Sequence, residues 1–200
     1  MIAGVSEVLR DRMREWCCAT LAAVSAEGET LCEGWDAHDL AVHLWTLNHD
    51  PASWAGIALP PLRGWTDRRG AAIRVRWSYL DLVDRLRDGP ASFACMPGDR
   101  REHFRHALGE WFMHGLDVAR PHGLPEPELD LDLAEALWTR CRRAAGQLNL
   151  LRPGLVLELP DGRSARISPG RERVRVAGPI TELLLWTYGR RGARVEVARG

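Results

Sequence analysis

The hydrophobic pattern of the chain changes period once, and that change constrains the fold more than any other feature. Up to about residue 151, apolar residues recur at spacings of three and four, the mark of helices with one buried face. From Leu155 onward they alternate, as in short strands with one face in a core. A chain written this way buries helices first and a sheet afterwards, so the expected class is α+β.

The helical part divides at its capping and breaking residues. Val5, Val8, Leu9, Met13, Trp16, Thr20 and Ala23 place a first helix over 5–24. Asp36, with Asp39 three residues on, caps a second helix whose apolar stripe is Leu40, Leu44 and Leu47 and which stops at Asp50-Pro51. A loop rich in proline and glycine follows. Thr66 is read as the cap of a third helix reaching about Asp88, with Ile73, Trp77, Leu80, Val83 and Leu86 on its buried side. Asp99 with Glu102 opens a fourth helix over about 100–120, and Asp132 with Glu135 a fifth that lasts to about Leu151.

Past Pro153-Gly154, strands are expected over 155–159, 163–167 and 173–176. Asp161-Gly162 marks a hairpin. A short apolar helix runs from Pro179 to Gly189, and a last strand over 193–198. The expected organisation is a helical body over 1–151 and a small α+β domain over 152–200. About 50 residues bury too little surface to be robust alone.

Composition removes several function classes. All 27 basic residues are arginine, so a catalytic lysine, a Schiff base and a P-loop lysine are excluded. The bias toward arginine also suggests a GC-rich bacterial genome. Net charge is zero, which argues against broad nucleic-acid binding. The charge is uneven: 17 Arg against 22 acids over 1–151, and 10 Arg against 5 acids over 152–200. That asymmetry favours docking of the two parts or an anionic ligand between them. No apolar run is long enough to span a bilayer, and the charged N-terminus does not read as a signal peptide. A soluble, cytoplasmic protein is therefore expected. Cys17, Cys18, Cys32, Cys95 and Cys141 are odd in number and form no C-x-x-C pair, so they read as buried thiols in a reducing compartment.

The fourth helix carries the chemistry. Glu110 and His114 are four residues apart and share a face, the spacing at which one helix presents two ligands to a divalent metal. A third ligand is offered by His43, a polar residue on the leucine stripe of the second helix. A Glu-x-x-x-His pair alone is common on solvated helix faces, and a lone stripe histidine is commonly a satisfied core residue. Two such features on two long helices make the stronger case. Two histidines and a carboxylate suit catalytic zinc or non-haem iron, with a coordination position left open. His106 is a spare candidate one turn earlier. His38, His49, His103 and His122 read as solvent-facing or loop-bound.

Two segments carry a resemblance. Residues 32–44, from Cys32-Glu33-Gly34-Trp35-Asp36 to His43-Leu44, resemble the N-terminal signature of DinB-like metal-binding four-helix bundles. Within these they are similar to the mycothiol-dependent maleylpyruvate isomerase family. Residues 110–120, Glu110-Trp111-Phe112-Met113-His114 onward, resemble that family's other ligand segment, and the C-terminal domain resembles its small sterol-carrier-like domain. The resemblance implies an up-down four-helix bundle plus an extra helix, with a divalent metal, usually zinc, on His43, Glu110 and His114. It implies mycothiol as thiol cosubstrate, an actinobacterial source, and S-transfer or thiol-assisted cis–trans isomerisation on a small electrophilic anion. Arg190 best matches the family's Gly-Arg pattern as the residue meeting the substrate anion, with Arg191 competing. The interval from His43 to Glu110 is shorter than in the isomerase, which implies different pocket walls. The contrasting reading is a non-catalytic module that binds a ligand or partner and whose metal is structural. Either suits a monomer or a homodimer.

Overall fold

A computed structural model of the chain describes residues 2–54, 56, 59–89, 99–148, 153–171 and 173–200. Cys95, the expected loop over 90–98 and the expected boundary at 151/152 lie outside the described residues. Among the described residues the helices are α1 (Ile2–Ala22), α2 (Ala37–His49), α3 (Arg63–Arg76), α4 (Tyr79–Arg87), α5 (Arg105–Ala119), α6 (Leu131–Leu148) and α7 (Ile180–Thr187). The strands are β1 (Leu155–Glu158), β2 (Ser164–Arg166), β3 (Val174–Ala177) and β4 (Glu196–Arg199). The class is α+β, as expected. No helix among the described residues is long and apolar enough to cross a membrane.

The chain forms two compact units, Met1–Glu128 and Leu129–Gly200. In the first, α1 packs on α4 and α5, while α2 packs on α3, α4 and α5. Helices α1, α4, α2 and α5 thus close a ring of four, with α3 leaning on α2. Helix α5 is the central element: every residue from Ala107 to Ala119 is buried.

The third predicted helix is in fact two. Trp77 is extended (φ −126°, ψ 142°), and Ser78 caps a new helix by accepting a hydrogen bond from the Asp81 amide at 3.3 Å. The break turns Leu80 outward, whereas Ile73, Val83 and Leu86 are buried as expected. The Trp77 ring is held by the Arg76 and Arg85 guanidinium groups, each 4.8 Å from its centroid, and by the Trp45 ring at 4.8 Å. Thr66 caps nothing; it lies inside α3 and its hydroxyl donates to the Ser53 carbonyl.

The second unit differs from the expected 152–200 domain by one helix. Helix α6 falls in the second unit with the sheet: its stripe of Leu133, Leu137, Cys141 and Ala144 is fully buried, and it packs on α7. Each leucine so buried stabilises by about 1.5–3 kcal/mol. Asp130, not Asp132, caps α6, accepting from the Leu133 amide at 2.8 Å. The sheet order is β2-β1-β3-β4. β1 and β2 form the antiparallel hairpin around Asp161-Gly162, β1 and β3 are parallel, and β3 and β4 are antiparallel. Gly162 takes φ +84°, the left-handed conformation that this tight turn requires.

Two local features of the first unit decide where side chains sit. At the start of α2, Asp36 accepts from the Asp39 amide at 2.8 Å and Asp39 returns a contact to the Asp36 amide, the expected capping box. Arg74 of α3 adds three hydrogen bonds of 2.8–2.9 Å to the two carboxylates. Between α1 and α5, Gly115 lies against Trp16 so closely that a Cβ there would come 2.1 Å from the indole ring.

Both features are testable by urea unfolding. Gly115→Ala is expected to cost about 1–3 kcal/mol, the usual range for overpacking; an unchanged midpoint would contradict the close α1–α5 contact. Asp36→Ala is expected to cost about 1 kcal/mol at neutral pH, the ordinary worth of an N-cap. Burial pushes the Asp36 carboxyl up, but the Arg74 guanidinium and the Asp39 amide outweigh this and hold it below its ordinary value. The stabilisation is therefore complete above about pH 4, the unfolded value. It is lost as pH falls through the lowered folded value, so the wild-type advantage over Asp36→Ala should vanish in acid.

Candidate metal centre

The entry to α5 is built by non-local capping. The sequence places the helix start near Arg100. Residues Asp99–Glu102 instead form a 3-10 turn, and His103 and Phe104 both take positive φ, 51° and 60°, before the α-helix begins at Arg105. Asp99 still serves as a cap: its carboxylate accepts from the Ala107 amide at 3.0 Å. Burial raises the Asp99 carboxyl above its ordinary value, against the lowering effect of that amide. Arg10 of α1 covers the Phe104 ring at 4.7 Å.

This entry sets the rotation of α5, and with it Glu110 and His114. Together with His43 of α2, they place one donor atom each within 4.8 Å of one another. All three residues that the sequence singled out as ligands are thus brought together. Glu110 Oε2 lies 3.5 Å from His114 Nε2, and Glu110 Oε1 lies 3.6 Å from His106 Nε2. The His43 and His114 rings meet edge to face with centroids 5.0 Å apart. His106 flanks the carboxylate and is not part of the three-donor set.

The same centre contains groups that sequence reasoning missed. Asp117, fully buried, accepts a hydrogen bond from His114 Nδ1 at 2.9 Å and another from the Cys32 thiol at 3.1 Å, both on Oδ2. Cys32, His114 and Asp117 form a second group of closely spaced donors that shares His114. The spacing His-x-x-Asp on a helix is a signal that could have found Asp117, because positions three apart share a face. Cys32 opens the 32–44 motif, but the cysteine count classed it only as a buried thiol and gave it no role at the centre; Cys17, Cys18 and Cys141 are buried free thiols.

Charge at the centre is strongly coupled. Burial pushes the Glu110 carboxyl up, but the neighbouring His106 and His114 imidazoles outweigh it and hold Glu110 well below the carboxylate range. Burial pushes the His114 imidazole down, but Asp117, Cys32 and Glu110 outweigh it and raise His114 well above its ordinary value. The centre is therefore a charge-paired carboxylate–imidazolium cluster, and a metal cation would bind there by displacing the second ring proton of His114. The donor set fits a divalent metal. Two imidazoles and a carboxylate converge, and the hydrogen bond on His114 Nδ1 leaves Nε2 facing Glu110.

His43 is partly exposed, and it lines a pocket of about 340 Å³ together with Trp35, Asp39, Thr46, Asp67 and Arg74. Among the other histidines, His49 has a ring nitrogen 3.0 Å from the Gly89 carbonyl, His122 one 3.1 Å from the Glu29 carbonyl, and the His38 ring lies tilted against Tyr79 with centroids 5.7 Å apart. Arg190 belongs to the second unit. Its guanidinium donates to the Tyr188 carbonyl at 3.2 Å, and it lines a hollow of about 470 Å³ with Arg191, Trp186 and Tyr188. Buried Arg140 holds the Tyr188 hydroxyl at 2.9 Å.

No protein-family model matches the chain, and no curated protein matches it in sequence. Two solved structures match its fold. One is a crystal structure of the mycothiol-dependent maleylpyruvate isomerase, 16% identical, with a TM-score of 0.62 over 99% of this chain and 93% of that one. The other is a histidine-to-alanine mutant of the isomerase, 15% identical, with the same TM-score and coverage. The arrangement of a helical unit followed by a sheet-containing unit is therefore not peculiar to this chain, and it has the fold of the mycothiol-dependent maleylpyruvate isomerase.

Proposed function

We propose that the chain is a thiol-dependent metalloenzyme, with mycothiol as cosubstrate and a small electrophilic anion as substrate. The reaction class is thiol transfer or thiol-assisted cis–trans isomerisation. The observation that carries this reading is the convergence of His43, Glu110 and His114, of which His43 also lines an open pocket. The fold likeness to the isomerase supports the thiol and the substrate class.

In this reading His43 and His114 present imidazole nitrogens and Glu110 a carboxylate oxygen to a divalent metal, zinc by the resemblance. A metal bound there lowers the pKa of a bound thiol and so makes thiolate available at neutral pH. Glu110 is ionised already, so it contributes charge without first losing a proton. Asp117 keeps the Nδ1 proton of His114 directed away from the set. Glu110 and His114 are buried, and His43, which lines the pocket, is the donor a ligand there would meet. That exposure favours catalysis over a closed structural site, which would need a fourth protein ligand. We assign Arg190 to the substrate carboxylate on the strength of the Gly189-Arg190 pattern, since guanidinium pairs with carboxylate in a bidentate fork.

Protein purified without chelator is expected to hold about one divalent metal per chain and to melt at a higher temperature when mycothiol is added. His43→Ala and His114→Ala should lose metal and activity together. Activity retained in both variants overturns the proposal. Arg190→Ala should raise KM for the anionic substrate and leave metal content unchanged.

A further inference from the structure

The sequence singled out residues 32–35 as part of a motif, and the mechanism leaves them without a task. Three observations connect this segment to the centre. The first concerns the backbone of α5. Asp117 would ordinarily give its carbonyl to the amide four residues on, but that residue is Pro121, which has no N–H. The missing donor comes from the Leu31 amide, 2.9 Å from the Asp117 carbonyl. The second concerns the Asp117 side chain. A fully buried carboxylate is costly unless it is hydrogen-bonded, and Cys32 supplies one of its partners beside His114. The third concerns His43: the Trp35 ring packs on its imidazole with centroids 5.0 Å apart.

The segment has a fixed shape of its own. The Thr30 hydroxyl accepts from the Cys32 amide at 3.1 Å and donates to the Trp35 carbonyl at 2.8 Å. The Trp35 amide donates to the Cys32 carbonyl at 3.0 Å, and Gly34 supplies the left-handed turn between them at φ +79°. One short stretch of backbone therefore grips Asp117 at one end and covers His43 at the other.

We propose that residues 30–35 form a strap that orients both histidines of the centre. Asp117 and Cys32 are the positioning residues for His114, and Trp35 is the positioning residue for His43. The strap holds His114 with its proton on Nδ1, so that Nε2 faces the donor set, and keeps the His43 ring turned toward it. Its consequence for metal affinity rests on the function proposed above. The orientation of the histidines does not.

The test uses the full chain. Zinc affinity is read by chelator competition, with circular dichroism as the check on folding. Asp117→Asn is expected to weaken zinc binding about 10–100-fold, the usual effect of losing a carboxylate behind a ligating histidine. Trp35→Ala should also weaken it. Cys32→Ser keeps a donor for Asp117 and should stay near wild type, whereas Cys32→Ala should fall below it. Long-range proton–nitrogen spectra of the metal-free wild type, recorded at a pH where His114 carries a single ring proton, should place that proton on Nδ1. Unchanged zinc affinity in folded Asp117→Asn and Trp35→Ala overturns the strap, and so does a His114 with Nδ1 bare. A wild type that binds no zinc overturns the metal reading, and the tautomer of His114 still decides the strap.

Discussion

Helix α5 is buried at every residue from Ala107 to Ala119, and this one constraint shapes the first unit. A helix surrounded by protein has no wet face on which to leave polar side chains, yet α5 carries Glu110, His114 and Asp117 within eight residues. Each is satisfied by another polar group on the same helix or on a neighbour: Glu110 by His106 and His114, His114 by Asp117, and Asp117 by Cys32. Burial without such pairing is costly. The cluster is what a buried helix must build once these residues are placed in it, and it is also a set of donors suited to a cation.

The helix reaches its position through features with no sequence repeat. Gly115 lets α1 approach until the Trp16 ring occupies the space of a side chain. At the N-terminal end, two consecutive residues with positive φ turn the chain into the helix, and Asp99 caps it from across the turn. Backbone conformations of this kind cost energy for residues other than glycine and persist only where surrounding contacts over-determine them. The Arg10 contact over Phe104 and the buried Asp99 are such contacts.

The three ligand candidates were legible in the sequence because their spacing is set by the helix itself. Glu110 and His114 share a face at any four-residue separation, and His43 stood out as polar on an apolar stripe. The α2 cap, the Asp161-Gly162 hairpin and the strands were legible for the same reason, since each depends on residues close in sequence. Long-range features were not. The third helix breaks at Trp77 because Ser78-x-x-Asp81 offers a better cap than continuation, and because two arginines and Trp45 hold the indole at the break. The apolar stripe of α6 identified a helix and was silent on which core it would join.

Local chemistry in the sequence thus determined the class, the order of helices and strands, and the face on which Glu110 and His114 lie. Only the tertiary structure decided that His43 meets them, that Asp117 and Cys32 stand behind His114, that α6 joins the second unit, and that a pocket opens at His43. The physical reason is the range of the interactions. Capping, periodicity and turn chemistry act over a few residues and are written into adjacent positions. The contact between Cys32 and Asp117 spans 85 residues, and it forms only after packing has brought their two segments together.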